Sequence, residues 1–406
     1  LGGILTLGLV SQENGTELKN SGTITDEEEK DEKWIKEMPY DAGKNYLTIN
    51  GPTEDYQITK SGKGYVGYKV GIAQVQENGP SSYDGNKQKM TNSATGKINF
   101  FGERSIGMYV YLPGNTTHAI MRNEGEINLR GSESYGMKIA AKSDDRAEMV
   151  NTNTGKITLG KNGADTASNS IAMALTADST VTNGVSLKRG NARNEGTIEV
   201  KDVQNSLGAY VNVNSSITSS GKININSTIA GLTDAEKAAN KKQAYNMGMR
   251  ADTVSGAEII NNGEITIDGA YAIGMLAKGS KLVNTKTISS TNVKNGIGIV
   301  GMNGATVENR GTVKVVGTGN TNNIGVLINS GSTGTVGTMA PGASAPSVEV
   351  SGDNSTGVLV TGTGSSLTMK GNVTVSGNSI SGIVANGTTV KLEDDATVKV
   401  DNNGAV

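Results

Sequence analysis

The chain has 406 residues, of which 56 are Gly, only 4% are aromatic and none is Cys. No disulfide framework is therefore available, and a formal net charge of −2 gives no case for nucleic acid as a partner. No apolar run approaches the length of a bilayer-spanning helix.

Residues 1–91 are the least regular part. Asn20-Ser-Gly-Thr-Ile24 opens a repeat, and Val66-Gly-Tyr68-Lys-Val70 reads as the second, glycine-centred run of one. Between them, at about 25–63, lies an insertion. It starts with the acidic stretch 26–33, which reads most simply as a solvated, partly helical arm. Aromatic residues follow: Trp34, Tyr40, Tyr46 and Tyr56, then Tyr65 and Tyr68. Tyr and Trp supply large, rigid contact area, so these six are the candidate binding residues. The alternative is that they fold the insertion back onto the body of the protein.

Residues 92–406 are built from three short runs that recur. The first is an apolar-polar-apolar triplet: Ile98-Asn-Phe100, Ile127-Asn-Leu129, Ile157-Thr-Leu159, Ile198-Glu-Val200, Ile223-Asn-Ile225 and Ile265-Thr-Ile267. It continues, after a degenerate copy at Ile288, as Val313-Lys-Val315, Val348-Glu-Val350, Val373-Thr-Val375 and Val398-Lys-Val400. Such alternation is the signature of a strand with one face inward. The second run centres on glycine, as in Ile106-Gly-Met108, Ile273-Gly-Met275 and Ile324-Gly-Val326, and predicts a strand whose glycine lies on the outer face. Recurrent Met108, Met137, Met173, Met249 and Met275 are assigned to the core. The third run closes each unit, as in Ala305-Thr-Val307-Glu-Asn309.

The shortest repeats are about 25 residues long, so longer ones are a unit plus an insertion, near 161–170, 183–192, 227–243 and 331–347. Thr233 and Glu236 have the spacing of a helix capping box within the third of these. Three short strands cannot bury an apolar face alone, but stacked on copies of themselves they can. The expected fold is all-β, a right-handed parallel β-helix, or solenoid, with coils of about 25 residues and loop insertions. Asn123, Asn194, Asn261 and Asn309, at unit boundaries, suit left-handed turns and are placed to stack into amide ladders. A tandem array of β-sandwiches is the competing fold and would need hairpin pairing.

Chemistry is sparse. The one histidine, His118, has no Cys or second His beside it, so no zinc site and no Ser-His-Asp triad is written around it; it reads as a turn residue. No phosphate-binding glycine loop or calcium-binding nonapeptide is present. No catalytic residue, metal or cofactor is assigned. Carboxylates brought together across stacked coils are invisible in sequence, which leaves a polysaccharide-cleaving enzyme as an alternative.

The alternating phrases Asn-x-Gly-x-Ile-x-Val/Leu and Ser-x-Gly-Met/Val-x-Val resemble the passenger domains of type V autotransporters. They are especially similar to the large fusobacterial outer-membrane adhesins of the RadD type or the galactose-inhibitable lectin type. The resemblance covers residues 92–406 well and 1–91 loosely. It implies a monomeric passenger, a fragment of a longer one, displayed on the outer membrane of a Gram-negative bacterium. A C-terminal β-barrel, absent from this sequence, would be its only link to the membrane. It also implies adhesion to a host or bacterial surface glycoprotein or receptor, through glycan or protein, with roles in coaggregation and virulence. Three functions stay open at this point: adhesin, inert stalk holding a distal tip, and polysaccharide-active enzyme.

Overall fold

The computed structural model describes residues 6–11, 17–26, 59–60, 65–66, 69–75, 88–112, 118–141, 146–160, 168–177, 191–201, 203–239, 241–252, 256–337, 346–393 and 396–402. They wind through three long parallel sheets. Sheet I runs from Thr6–Ser11 to Ser381–Asn386 and sheet II from Glu17–Asn20 to Thr389–Leu392, each with twelve strands. Sheet III runs from Thr23–Thr25 to Thr397–Asn402. Each coil visits I, II and III in turn, and every strand pairs in parallel with the equivalent strand one coil away. At roughly 4.8 Å per coil the column is on the order of 50 Å long. Among the described residues the only antiparallel pair is Thr59–Lys60 with Tyr65–Val66. Sandwich modules are thereby excluded for the described body.

The register follows from side chains stacking on their equivalents. Ile127 pairs with Ile98 on one side and Ile157 on the other. Further along the column Val313 pairs with Val348, Val348 with Val373 and Val373 with Val398. A slip of one residue would turn the whole apolar set outward, so burial fixes the pairing. The degenerate copy at Ile288 is a split rung: Thr287–Ser289 and Val293–Lys294 both pair with Glu264–Ala270. The five recurrent methionines are fully buried in the main core.

The glycine of the second run faces inward, not outward as its sequence context predicts. A Cβ on Gly107 would stand 2.6 Å from Ile127 Cγ2 and 2.6 Å from the Gly136 carbonyl oxygen. Met108 also joins the main core, whereas Ile106 packs in a separate cluster with Tyr109. Two successive residues therefore point inward, and the glycine drops out of the Ile106–Tyr135, Met108–Met137 pairing. The corner explains this. Sheet I starts where sheet III has just turned, and only a residue without a side chain lets the two sheets close.

Two polar ladders line the corners. In sheet II, the Asn20 side-chain amide donates to Asn92, Asn92 to Asn123, Asn123 to Asn151 and Asn151 to Asn194, each at 2.8 Å. Asn194 donates to the Ser219 hydroxyl at 3.1 Å, and a second stretch joins Asn261, Asn284 and Asn309. Past Asn309 the same position is Val336, then Met369, then Leu392. These asparagines do not take left-handed geometry. That geometry belongs to the corner between sheets III and I, at Asn169, Asn205, Asn295, Asn322 and Asn354. Immediately after it runs the second ladder, in which the backbone N–H of Ser105 donates to the Ser134 hydroxyl, Ser134 to Ser170 and Ser170 to Ser206.

The capping box forms a short helix, Asp234–Ala238, with Thr233 as its N-cap. Nearby, Tyr271 holds a left-handed backbone and meets Tyr245 edge to face at 5.7 Å. One buried amide, that of Gln74, has no hydrogen-bond partner. Gln74 pairs with Val110 in the core register, is 2% exposed, and its amide makes no hydrogen bond. An unpartnered buried amide costs about 1–3 kcal/mol. Gln74→Leu is therefore expected to raise the denaturation midpoint by an amount worth about 1–3 kcal/mol; a lower midpoint would refute this assignment.

Candidate functional site

Of the six aromatic residues singled out from sequence, Trp34, Tyr40, Tyr46, Tyr56 and Tyr68 lie outside the described residues. Tyr65 is placed by its backbone, in the strand Tyr65–Val66. His118 opens the strand His118–Asn123 instead of preceding it in a turn.

The base of the insertion that carries these aromatics is well defined. Asp26, read from sequence as the start of a solvated arm, is buried. Its carboxylate lies 2.7 Å from the Lys69 ammonium, with side-chain exposures of 1% for Asp26 and 11% for Lys69. The remaining acceptor capacity of Asp26 is met by the backbone N–H groups of Phe101 at 2.8 Å and Gly102 at 3.1 Å. Asp26 directly follows the first strand of sheet III, Thr23–Thr25, and Lys69 begins a strand of sheet I, Lys69–Val75. The two residues that bound the insertion in sequence are thus held together by a charge pair. A charge run in sequence looks solvated because its partner lies 43 residues away.

Phe101 and the residues that follow it along sheet III also border a groove of about 420 Å³ on the outer face of that sheet. The middle residues of the triplets form its floor: Asn99, Asn128, Thr158 and Glu199. They point outward because the two apolar members of each triplet point inward. Asn128 donates to Asn99 at 2.8 Å. One wall carries Lys97, Glu126 and Lys156, the other Phe101, Arg130 and Lys201. The Arg130 guanidinium lies 4.4 Å above the Phe101 ring, a stacking that fixes a planar cation. Lys97 and Glu126 are 3.7 Å apart, and the Glu199 carboxylate is 3.0 Å from both Lys156 and Lys201. Burial alone would raise the Glu199 carboxyl, but the adjoining Lys201 and Lys156 outweigh it and hold it below the usual carboxylate range. A second groove of about 510 Å³ lies at the corner between sheets II and III, lined by turn residues such as Glu195, Ser220 and Asn262 and by Lys222, Glu264 and Lys286.

This arrangement offers neutral amides and a hydroxyl between charged walls, on a rigid sheet. Sequence reading missed it. The signal was present as the polar middle letter of each triplet, but it becomes a surface only when triplets are read down the stack. Among the described residues no group of three or more His, Cys, Asp or Glu side chains is placed to hold a metal ion. A protein-family model, the BigA third pectate lyase-like domain, matches residues 3–187 and again 184–292. No curated protein and no solved structure matches the chain.

Proposed function

Because the chain belongs to the family of BigA third pectate lyase-like domains, we propose that it is a segment of an autotransporter-type bacterial adhesin, displayed at the cell surface. A stiff column presents the sheet III groove and the adjoining insertion to glycans or proteins of host or bacterial cells. Many copies at a surface turn weak contacts into firm attachment through effective concentration. The observation that supports this reading is the buried pair of Asp26 and Lys69, which joins the two ends of the insertion next to Phe101 at the edge of a polar groove.

Glu199 is a poor fit to the general acid of a polysaccharide-cleaving site, which leaves binding as the reading taken here. Glycoside hydrolysis needs one carboxyl held protonated near neutral pH as general acid. Glu199, on the floor of the groove, is shifted the opposite way.

The test is attachment of cells to the immobilised 406-residue chain. In a variant, residues 27–58 are replaced by a short Gly/Ser linker while Asp26 and Lys69 are kept. Attachment is expected to fall about tenfold, the scale of losing a central aromatic anchor. Undiminished attachment would favour the inert stalk, and release of oligosaccharides from added polysaccharide would favour the enzyme.

A further inference from the structure

We propose that the outer face of sheet I in its first coils is the seat of the aromatic-bearing segment 27–58, which packs its apolar side chains on Val70, Ile106 and Tyr109. The inference goes beyond the adhesin reading and stands without it. Val70 pairs with Ile106, and Ala73 with Tyr109, on the strands Lys69–Val75 and Ser105–Leu112. All four turn away from the main core. Their inward neighbours Ile72, Met108 and Val110 belong to it, whereas they form a cluster of their own. Outward residues of sheet III, such as Asn99 and Asn128, are polar and half-buried. These four are apolar and at most 1% exposed.

Sheet I cannot close this face by itself. Tyr109 stands in its row between Ala73 and Lys138, and a methyl group on one side cannot hide a phenol ring. Farther along the same rows Ile297, Ile324 and Leu327 are half-buried, although their sheet neighbours are large. The cluster around Tyr109 contains no residue of sheets II or III or of the short helix. That leaves the segments outside the described residues, and composition separates them. Residues 12–16, 76–87, 113–117 and 142–145 follow the sheet I strands of this region; Tyr83 is their single aromatic, and they hold no Val, Ile, Leu or Met. Segment 27–58 holds Trp34, Ile35, Met38, Tyr40, Leu47 and Ile49. Its bounding residues also lie at the seat, since Asp26 is 2.7 Å from Lys69 and Val70 comes next in the chain. A seated segment is held in one shape, so residues on its outer side meet a partner without an ordering cost.

Trp34 is the only tryptophan of the chain, which makes its fluorescence a direct report on the seat. In the intact chain its emission is expected to be blue-shifted and shielded from acrylamide relative to the same chain in urea. Ile106→Asp sets an unpaired carboxylate under the apolar segment. Checked for an unchanged circular dichroism spectrum, this variant should quench more readily at Trp34. It should also be cut by trypsin at Lys36 and Lys44 about tenfold faster, because cleavage tracks the unseated population. Ile273→Asp makes the same change in the same row farther along sheet I; it is the control and should leave both readings unaltered. Replacing 27–58 by a short Gly/Ser linker, with Asp26 and Lys69 kept, should uncover the face and raise binding of an apolar dye. Adding Ile106→Asp to that variant should lower the rise. Trp34 as accessible in the folded chain as in urea would overturn the proposal, as would no effect of Ile106→Asp on either reading or no added dye binding after the replacement. An intact chain that exposes Trp34 and sediments as a dimer, returned to monomer by Ile106→Asp, would overturn it in favour of a second copy on this face.

Discussion

Asn123→Ala is expected to destabilise the chain by about 2–4 kcal/mol, the sum of a small cavity and two lost buried hydrogen bonds. Asn123 is fully buried. It accepts from the Asn92 amide and donates to the Asn151 side-chain oxygen, each at 2.8 Å. Alanine leaves both neighbours short of a partner where no solvent reaches them. Each coil meets only its neighbours, so the loss is concentrated locally. Amide hydrogen exchange should quicken first in Gln88–Asn92, His118–Asn123 and Arg146–Asn151, the strands paired around the missing rung. The column contains its own control. At Ser219 a hydroxyl continues the ladder by accepting from Asn194 at 3.1 Å. Asn123→Ser should therefore cost clearly less than Asn123→Ala in a denaturation series, and equal costs would show that the ladder is not the source of the stability.

Asp26→Ala should cost more, about 3–5 kcal/mol, because it strands a buried ammonium. It also leaves the N–H groups of Phe101 and Gly102 without their acceptor. Lys69→Met is the milder break. It keeps the length of the stem, and the Asp26 carboxylate retains two backbone donors. A double-mutant cycle should return a coupling of about 1–3 kcal/mol between the two residues. Strictly additive single costs would mean that the pair is incidental. The cycle also bears on function, since both residues stand where the aromatic-bearing insertion departs and returns. Chains carrying Asp26→Ala should lose attachment even under conditions where the remaining coils stay folded by circular dichroism.

Much of the architecture was legible in the text of the chain because a stacked fold repeats its constraints. Ile98, Ile127 and Ile157 announce a column by occurring at equivalent places in successive phrases, and the boundary asparagines announce a ladder in the same way. What stayed hidden depended on contact between different faces or distant positions. Gly107 lies inward because sheet III closes against it, a fact about a corner and not about a strand. Asp26 looked solvated because five of the seven residues after it are acidic, while Lys69 gave no hint of being its partner. The groove was hidden for a third reason. Asn99, Asn128 and Arg130 are ordinary exposed residue types, and only stacking turns them into a lined surface. The six aromatic candidates remain a proposal of sequence, joined now to a defined attachment point.

The sheet II ladder has a direction and an end. From Asn20 to Asn194, and again from Asn261 to Asn309, each amide donates a hydrogen bond to the asparagine of the next coil, and beyond Asn309 the position turns to Val336, Met369 and Leu392. The solenoid is thus two materials joined at a seam. Coils are closest to interchangeable within an unbroken run of asparagines, Asn20 to Asn194 or Asn261 to Asn309: duplicating or excising one there changes reach by roughly 4.8 Å and keeps an amide-to-amide rung at each new junction. A splice that sets an asparagine coil between two of the aliphatic ones would bury an amide against methyl groups at both new joints. Length in this protein is therefore freely adjustable, but only in whole steps and only on one side of the seam at a time.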